Sequence, residues 1–161
     1  MTPVRLAVVS DSHRARARVE AFARLAARER FDMIIHLGDG ASDARWLEQA
    51  LGAPVRFVAG NCDFGADASR EACFSAGGVR LFMAHGDRYG VKRALDALSY
   101  RAEELGAKAA LFGHTHVPFA AYVGRVLLVN PGALKDGRYA LLTIAGGAVE
   151  PRLMQLEGYG D

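Results

Sequence analysis

The stretch VRLAVVSDSH, residues 4–13, decides how this chain is read. Its first six residues are mostly β-branched or aliphatic, a continuous apolar run of strand length that suits burial on both faces. The run stops in Ser10, Asp11, Ser12 and His13, all polar, so a loop opens where the strand ends. Beyond it the period changes: Val19, Phe22, Ala23, Leu25 and Ala26 recur at helical spacing and predict a helix over residues 15–30. DMIIHLGDG, residues 32–40, repeats the first pattern and ends at Gly38, Asp39 and Gly40. A second helix is expected over Asp43–Leu51, broken by Gly52 and Pro54. VRFVAGNCD, residues 55–63, is a third strand that runs out at Gly60 and a polar turn.

Strand and helix in alternation imply a parallel sheet with crossover helices. The second half is built differently. EACFSAGGVRLFMAHG, residues 71–86, predicts a hairpin turning at Gly77-Gly78. A helix near Val91–Leu105 follows, then the strand of ALFGHTHVPF, residues 110–119, which stops at Gly113 and presents His114 and His116. The remainder is strand after strand, with turns at Gly124, Asn130-Pro131-Gly132, Asp136-Gly137 and Gly146-Gly147. The expectation is an α/β protein of two packed sheets with helices on their outer faces, a single domain over residues 1–161.

Composition narrows the function classes. Hydrophobic residues make up 51% and charged residues 24%, an ordinary globular balance, and the formal net charge is +2. A surplus that small does not suit counterion-driven binding of long nucleic acid. Much of the positive charge falls in the arginine-rich first helix, where it reads as a solvated face. No apolar run approaches the length of a membrane span, and the N-terminus enters a strand without the segments of a secretory leader. Cys62 and Cys73 form no CxxC pair. The expectation is a cytoplasmic protein with reduced thiols and no membrane partner.

Every early strand ends in side chains able to hold a metal: Asp11 and His13, then Asp39, Asn61, His85, and finally His114 and His116. In a parallel α/β sheet the carboxyl ends of the strands share one edge, where ligands bind. Singly, each residue has a plainer use. Asp11 or Asp39 would serve as a helix cap, Asn61 as a turn residue, His85 as a packed histidine, and the HxH pair as solvated loop residues. Jointly, five donor clusters at strand ends are not accounted for by capping. Mixed carboxylate, amide and imidazole donors without thiolate clusters suit Mn²⁺, Fe²⁺, Zn²⁺ or Co²⁺. Seven donors exceed the needs of one tetrahedral ion, and two ions about 3.5–4 Å apart would use them.

The ordered series D-x-H, G-D, G-N-x-D, H-G and G-H-x-H resembles the calcineurin-like metallophosphoesterases, over Ser10 to about Leu142. The short length, the GNCD form and the NPGA before the last strands are similar to their small bacterial and archaeal phosphodiesterases, the YfcE type. The resemblance implies a four-layer α/β/β/α sandwich and a site with two divalent metal ions, Mn²⁺ first, with Fe²⁺, Zn²⁺, Ni²⁺ or Co²⁺ as alternatives. It places one ion on Asp11, His13, Asp39 and His116. The second falls on Asp39, Asn61, His85 and His114, with Asp39 bridging. The implied activity is hydrolysis of small phosphodiesters by a hydroxide bridging the two ions, with Asn61 and His114 also acting in catalysis. A phosphomonoesterase on the same site is one alternative. A non-catalytic scaffold is another, because a subunit of the eukaryotic retromer coat resembles this fold.

Three positions depart from the family pattern. Cys62 stands where many larger relatives carry a histidine that assists the leaving group, so a preference for good leaving groups is expected. Asp87 stands where close relatives often show a second histidine, and reads as a turn residue or as a carboxylate orienting His85 or a substrate water. Arg14 follows His13 where glycine is common, and would meet a phosphate at the rim if it is not simply solvated. Asp63 is expected to support its loop through backbone hydrogen bonds, and His36 is expected in the core or behind the ligands. Relatives of this type are often dimers, and the apolar C-terminal strands make a homodimer the expectation.

Overall fold

β1 (Val4–Val9) pairs with parallel β2 (Met33–His36) on one side and antiparallel β9 (Arg138–Ala145) on the other. β3 (Val55–Phe57) extends the sheet beyond β2, and β10 (Ala148–Gln155) beyond β9, in the order β10-β9-β1-β2-β3. The second sheet also has five strands, ordered β4-β5-β6-β8-β7. β4 (Glu71–Ala76) and β5 (Val79–Ala84) form the hairpin, β6 (Ala109–Leu111) and β8 (Val126–Asn130) run parallel to β5, and β7 (Phe119–Val123) closes the edge antiparallel to β8. The computed structural model describes residues 2–158.

The layers follow from side-chain alternation within these strands. Leu6 and Val8 of β1, Leu81 and Met83 of β5 and Ala109 and Leu111 of β6 share one buried cluster between the sheets. Their neighbours Ala7 and Val9 face the opposite way, into a cluster with Val19, Phe22, Ala23 and Ala26 of α1 (Arg16–Glu29) and Ala44 and Leu47 of α2 (Ala41–Leu51). Phe82, Ala84 and Ala110 likewise turn outward onto Leu98 and Ala102 of α3 (Asp96–Glu104). A strand covered on both faces has no polar side, which is why the sequence shows continuous apolar runs. The result is the expected four-layer α/β/β/α sandwich. Phe22 is fully buried, and full burial of such a ring stabilises by about 1.5–3 kcal/mol.

The helices differ from expectation in two respects. α2 starts at Ala41 instead of Asp43, while its end at Leu51 is as expected, followed by Gly52, whose left-handed φ of 61° suits a residue without Cβ. α3 spans only Asp96–Glu104, not the whole of Val91–Leu105. The intervening residues leave a 3-10 turn at Asp87–Tyr89 through Gly90, with the amides of Arg93 and Ala94 bonded to the Gly90 carbonyl. Val91 and Leu95 still join the cluster under α3, so the apolar spacing was real although the backbone there turns.

Candidate metal centre

Three loops of the first sheet and two of the second meet at one edge. Asp11 and His13 follow β1, Asp39 follows β2, and Asn61 to Asp63 follow β3, while His85 leaves β5 and His114 and His116 follow β6. Backbone hydrogen bonds stitch these loops together: the Asp11 amide donates to the Gly38 carbonyl at 2.9 Å, the His13 amide to Asp39 at 3.0 Å, and the Gly113 amide to His85 at 2.9 Å. Two glycines allow the close approach. A Cβ on Gly60 would lie 2.2 Å from Asp39 Oδ1, and one on Gly113 would lie 2.1 Å from Ser10 Oγ and 2.6 Å from Asp11 Oδ2.

The side chains fall into two principal groups, Asp11 with His13 and His116, and Asp39 with His85 and His114, the ligand atoms of each within 4.8 Å of one another. His116 Nε2 is 3.2 Å from Asp11 Oδ1, and His85 Nε2 is 3.2 Å from Asp39 Oδ2. His13 Nε2 stands between the groups, 3.7 Å from both Asp11 Oδ1 and Asp39 Oδ2. His114 Nδ1 faces His85 Nε2 at 3.2 Å. Asp11, His13, Asp39, His114 and His116 all have left-handed backbones, with φ from 45° to 72°. Non-glycine residues seldom adopt that region, and such strained backbones cluster at functional sites.

Orientation comes from partners behind the cluster. The Leu37 carbonyl accepts from His85 Nδ1 at 2.8 Å, which leaves Nε2 to the site. Asp11 Oδ2 accepts from the Ser10 hydroxyl at 2.6 Å and the His114 amide at 3.0 Å. His36 Nδ1 accepts from the Gly38 amide at 3.1 Å, so Nε2 carries the proton and donates to Ser12 Oγ at 2.9 Å. Ser12 in turn donates to Asp43 Oδ2 at 2.6 Å, and the same carboxylate oxygen accepts from the Arg14 amide at 3.0 Å. Asn130, fully buried, donates to the Gly113 carbonyl at 3.2 Å and Thr115 Oγ1 at 2.9 Å, steadying the loop that carries His114 and His116.

Electrostatics follow the packing. Burial opposes ionisation of Asp39, yet hydrogen bonds from His85 and from the Cys62 amide and thiol outweigh it and hold the carboxyl well below the usual range. Burial would lower His85 too, but the Asp39 hydrogen bond and the Asp11 charge raise it. His114 is lowered by desolvation, by His85 and by Lys92. His36 is lowered by burial, against the pull of Asp43.

Neither Asp11 nor Asp39 caps a helix. α1 and α2 begin after Ala15 and Gly40 without a side-chain cap. Asp63 takes that work for α2, accepting from the amides of Asp39, Gly40, Ala41 and Gly60 at 2.8–3.0 Å. Asp87 does not orient His85. It opens the 3-10 turn and pairs with Arg70 at 2.9 Å, and the Leu37 carbonyl does the orienting. Asn61 is exposed, its amide nitrogen 3.6 Å from Cys62 Sγ. Arg14 lines a groove of about 600 Å³ together with His13, Asp39, Arg45, Cys62 and Phe64. The buried Ser12, Asp43 and Asn130 were not singled out as site residues. Their signal was weak: a serine between two donors, an acid in a helix's first turn, and an asparagine at a strand end.

The donor set fits divalent metal ions. Two carboxylates and four imidazoles, with Nε2 of His85 turned toward the shared centre, offer oxygen–nitrogen coordination rather than a hydrophobic core. Comparison with known proteins agrees. The family model described as the calcineurin-like phosphoesterase superfamily domain matches residues 4–147. The probable metallophosphoesterase YsnB of Bacillus subtilis is 34% identical over 157 residues, covering 94% of this chain and 90% of its own. A predicted phosphoesterase from Streptococcus pneumoniae superposes with a TM-score of 0.80 at 27% identity, covering 98% of this chain and 92% of that one. Vacuolar Protein Sorting 29 from Cryptosporidium parvum shares the fold, with a TM-score of 0.75 at 14% identity over 96% of this chain and 98% of that one.

Proposed function

The chain belongs to the calcineurin-like phosphoesterase superfamily, and from that premise we propose that it hydrolyses small phosphate esters with two divalent metal ions, phosphodiesters first among them. The observation that carries the reading is the convergence of Asp11, Asp39 and four histidines at one edge, five of these six with left-handed backbones. One ion would be held by Asp11, His13, Asp39 and His116, the other by Asp39, Asn61, His85 and His114, and Mn²⁺ is the first to test. Such ions supply a water acidified to near neutrality and positive charge against the phosphoryl oxygens.

The chain's own residues do the rest. Leu37 keeps the His85 ring turned so that Nε2 faces the centre, and Asp63 clamps the loops carrying Asp39 and Asn61. The exposed Asn61 amide has N–H groups to offer a phosphoryl oxygen. The adjoining groove has room for a second ester group beyond phosphorus, which supports the diester preference, and Arg14 and Arg45 in its lining would meet anionic oxygens of either ester. Partial desolvation and the Asp39 carboxylate push the Cys62 thiol up, making it a weak proton donor for a leaving alkoxide. Good leaving groups are therefore expected to react best, with a steep dependence of rate on leaving-group pKa.

The fold shared with a protein-sorting component motivates a second reading, a non-catalytic scaffold. One experiment separates them. Chelator-stripped protein is given bis-p-nitrophenyl phosphate and, in parallel, p-nitrophenyl phosphate, before and after Mn²⁺. Metal-restored hydrolysis of the diester in preference to the monoester supports the proposal, and the reverse preference makes the enzyme a monoesterase. Folded protein that binds divalent ions yet hydrolyses neither ester with any of them points to the scaffold.

A further inference from the structure

Cys62 belongs to a third cluster that the two-ion assignment leaves unused. Its Sγ, a ring nitrogen of His13 and a carboxylate oxygen of Asp39 all lie within 4.8 Å of one another. The residue is held there from two directions. Its amide donates to Asp39 Oδ1 at 2.8 Å, and the Asn61 amide nitrogen lies 3.6 Å from its Sγ. Cys62 and His13 are both exposed, so their side chains have freedom to close on an ion.

We infer that Cys62 is a metal-selective ligand: with a thiophilic ion such as Zn²⁺, Co²⁺ or Cd²⁺ on the His13–Asp39 side of the centre, Cys62 Sγ binds it as thiolate, whereas Mn²⁺ is held without Cys62. The inference rests on the reading of this cluster as a divalent-metal site. Thiolates select soft and borderline ions, while carboxylate, amide and imidazole donors suffice for Mn²⁺. The spacing is close to that of ligands sharing one ion at about 2.0–2.3 Å. Binding is balanced by loss of the thiol proton to solvent as the sulfur–metal bond forms, with no change of oxidation state. The same chain would then offer two coordination spheres, and ion identity would decide whether the thiol faces the substrate groove or is committed to the metal.

The test uses the chelator-stripped full-length protein titrated with Co²⁺ and followed by absorption. The expected result is a thiolate-to-cobalt charge-transfer band in the near ultraviolet alongside weaker visible ligand-field bands. Cys62→Ser should lose the charge-transfer band and Cys73→Ser should keep it, since Cys73 packs against the cluster under α3. Zn²⁺ affinity should fall about 10–100-fold in Cys62→Ser while Mn²⁺ affinity holds. Should that variant not fold, the wild-type protein decides by alkylation with peptide mapping: Zn²⁺ should slow modification of Cys62 about tenfold or more and Mn²⁺ should not. Ligand-field bands without the charge-transfer band, or equal alkylation under both ions, overturn the inference and leave the metal centre intact. No cobalt bands at all would overturn both.

Discussion

Nδ1 of His85 donates to the carbonyl oxygen of Leu37 at 2.8 Å, a hydrogen bond that joins the second sheet to the first directly behind the metal-binding edge. Because a carbonyl only accepts, the bond fixes the tautomer and leaves Nε2 facing Asp39 Oδ2. With Asp39 and Asp11 raising its pKa, the ring keeps its second proton to a higher pH than a free imidazole does. Metal uptake should therefore release a proton, and affinity should weaken as pH falls through the raised pKa, starting above the ordinary 6.5. Calorimetry of Mn²⁺ binding in buffers of different ionisation enthalpy measures that release. His85→Asn should diminish it and lower kcat/KM about 100-fold or more.

His36 carries the opposite sign. Burial holds its pKa below 6.5, so above that value neither the folded nor the unfolded chain binds the proton. As pH falls below 6.5 the unfolded chain takes up a proton that the folded chain refuses, and stability declines until the lowered folded pKa is reached. Urea midpoints from about pH 7.5 down to about pH 5 should fall more steeply for the wild type than for His36→Gln, which keeps a donor toward Ser12 without a titrating ring. Equal slopes would mean that His36 does not titrate differently on unfolding.

Asp63 should matter to stability as much as to activity. Its carboxylate satisfies four backbone N–H groups from two loops. Removing it in Asp63→Ala leaves those donors to water or to nothing, at an expected cost of about 3 kcal/mol. Denaturant unfolding should show a lower midpoint at unchanged m, and activity at saturating metal should drop because the Asp39 and Asn61 loops lose their common anchor. Wild-type stability in this variant would show that solvent replaces the carboxylate without loss.

Gly113→Ala tests the crowding beneath the HxH turn. The added Cβ meets Ser10 Oγ at 2.1 Å and Asp11 Oδ2 at 2.6 Å, both buried. Something must move, and overpacking of this kind costs about 1–3 kcal/mol. The expected signature is a folded protein with a modestly lowered Tm and severely weakened metal binding, since the displaced groups are a proposed ligand, Asp11, and its neighbour. Metal affinity like that of the wild type would refute the crowding argument.

Much of the architecture was legible because it is local. Continuous apolar runs mark strands covered on both faces, and the donors stand at the residues where those runs stop, so direction alone carries Asp11, Asp39, His85 and His114 to one edge. What was not legible depends on side-chain direction between elements distant in the chain. Ser12 reaches His36 across 24 residues and Asp43 across 31, and no periodicity encodes such a contact. The capping alternative for Asp39 failed for the same reason, since the acceptor, Asp63, comes from the following loop. The helix expected from Val91 carried the right spacing on a backbone that Gly90 had already turned.

Both groups of the candidate centre draw on both sheets: Asp11, His13 and Asp39 leave the first, and His85, His114 and His116 leave the second. The distance between the residues of one sheet and those of the other is thus set by the thickness of the apolar layer in which Leu6, Val8, Leu81 and Met83 meet. That layer acts as a gauge block for the chemistry at its edge. Trimming a methylene there should alter the spacing of the proposed ligands as well as the stability of the fold, so interior packing and the geometry of the candidate centre would be adjusted by the same side chains.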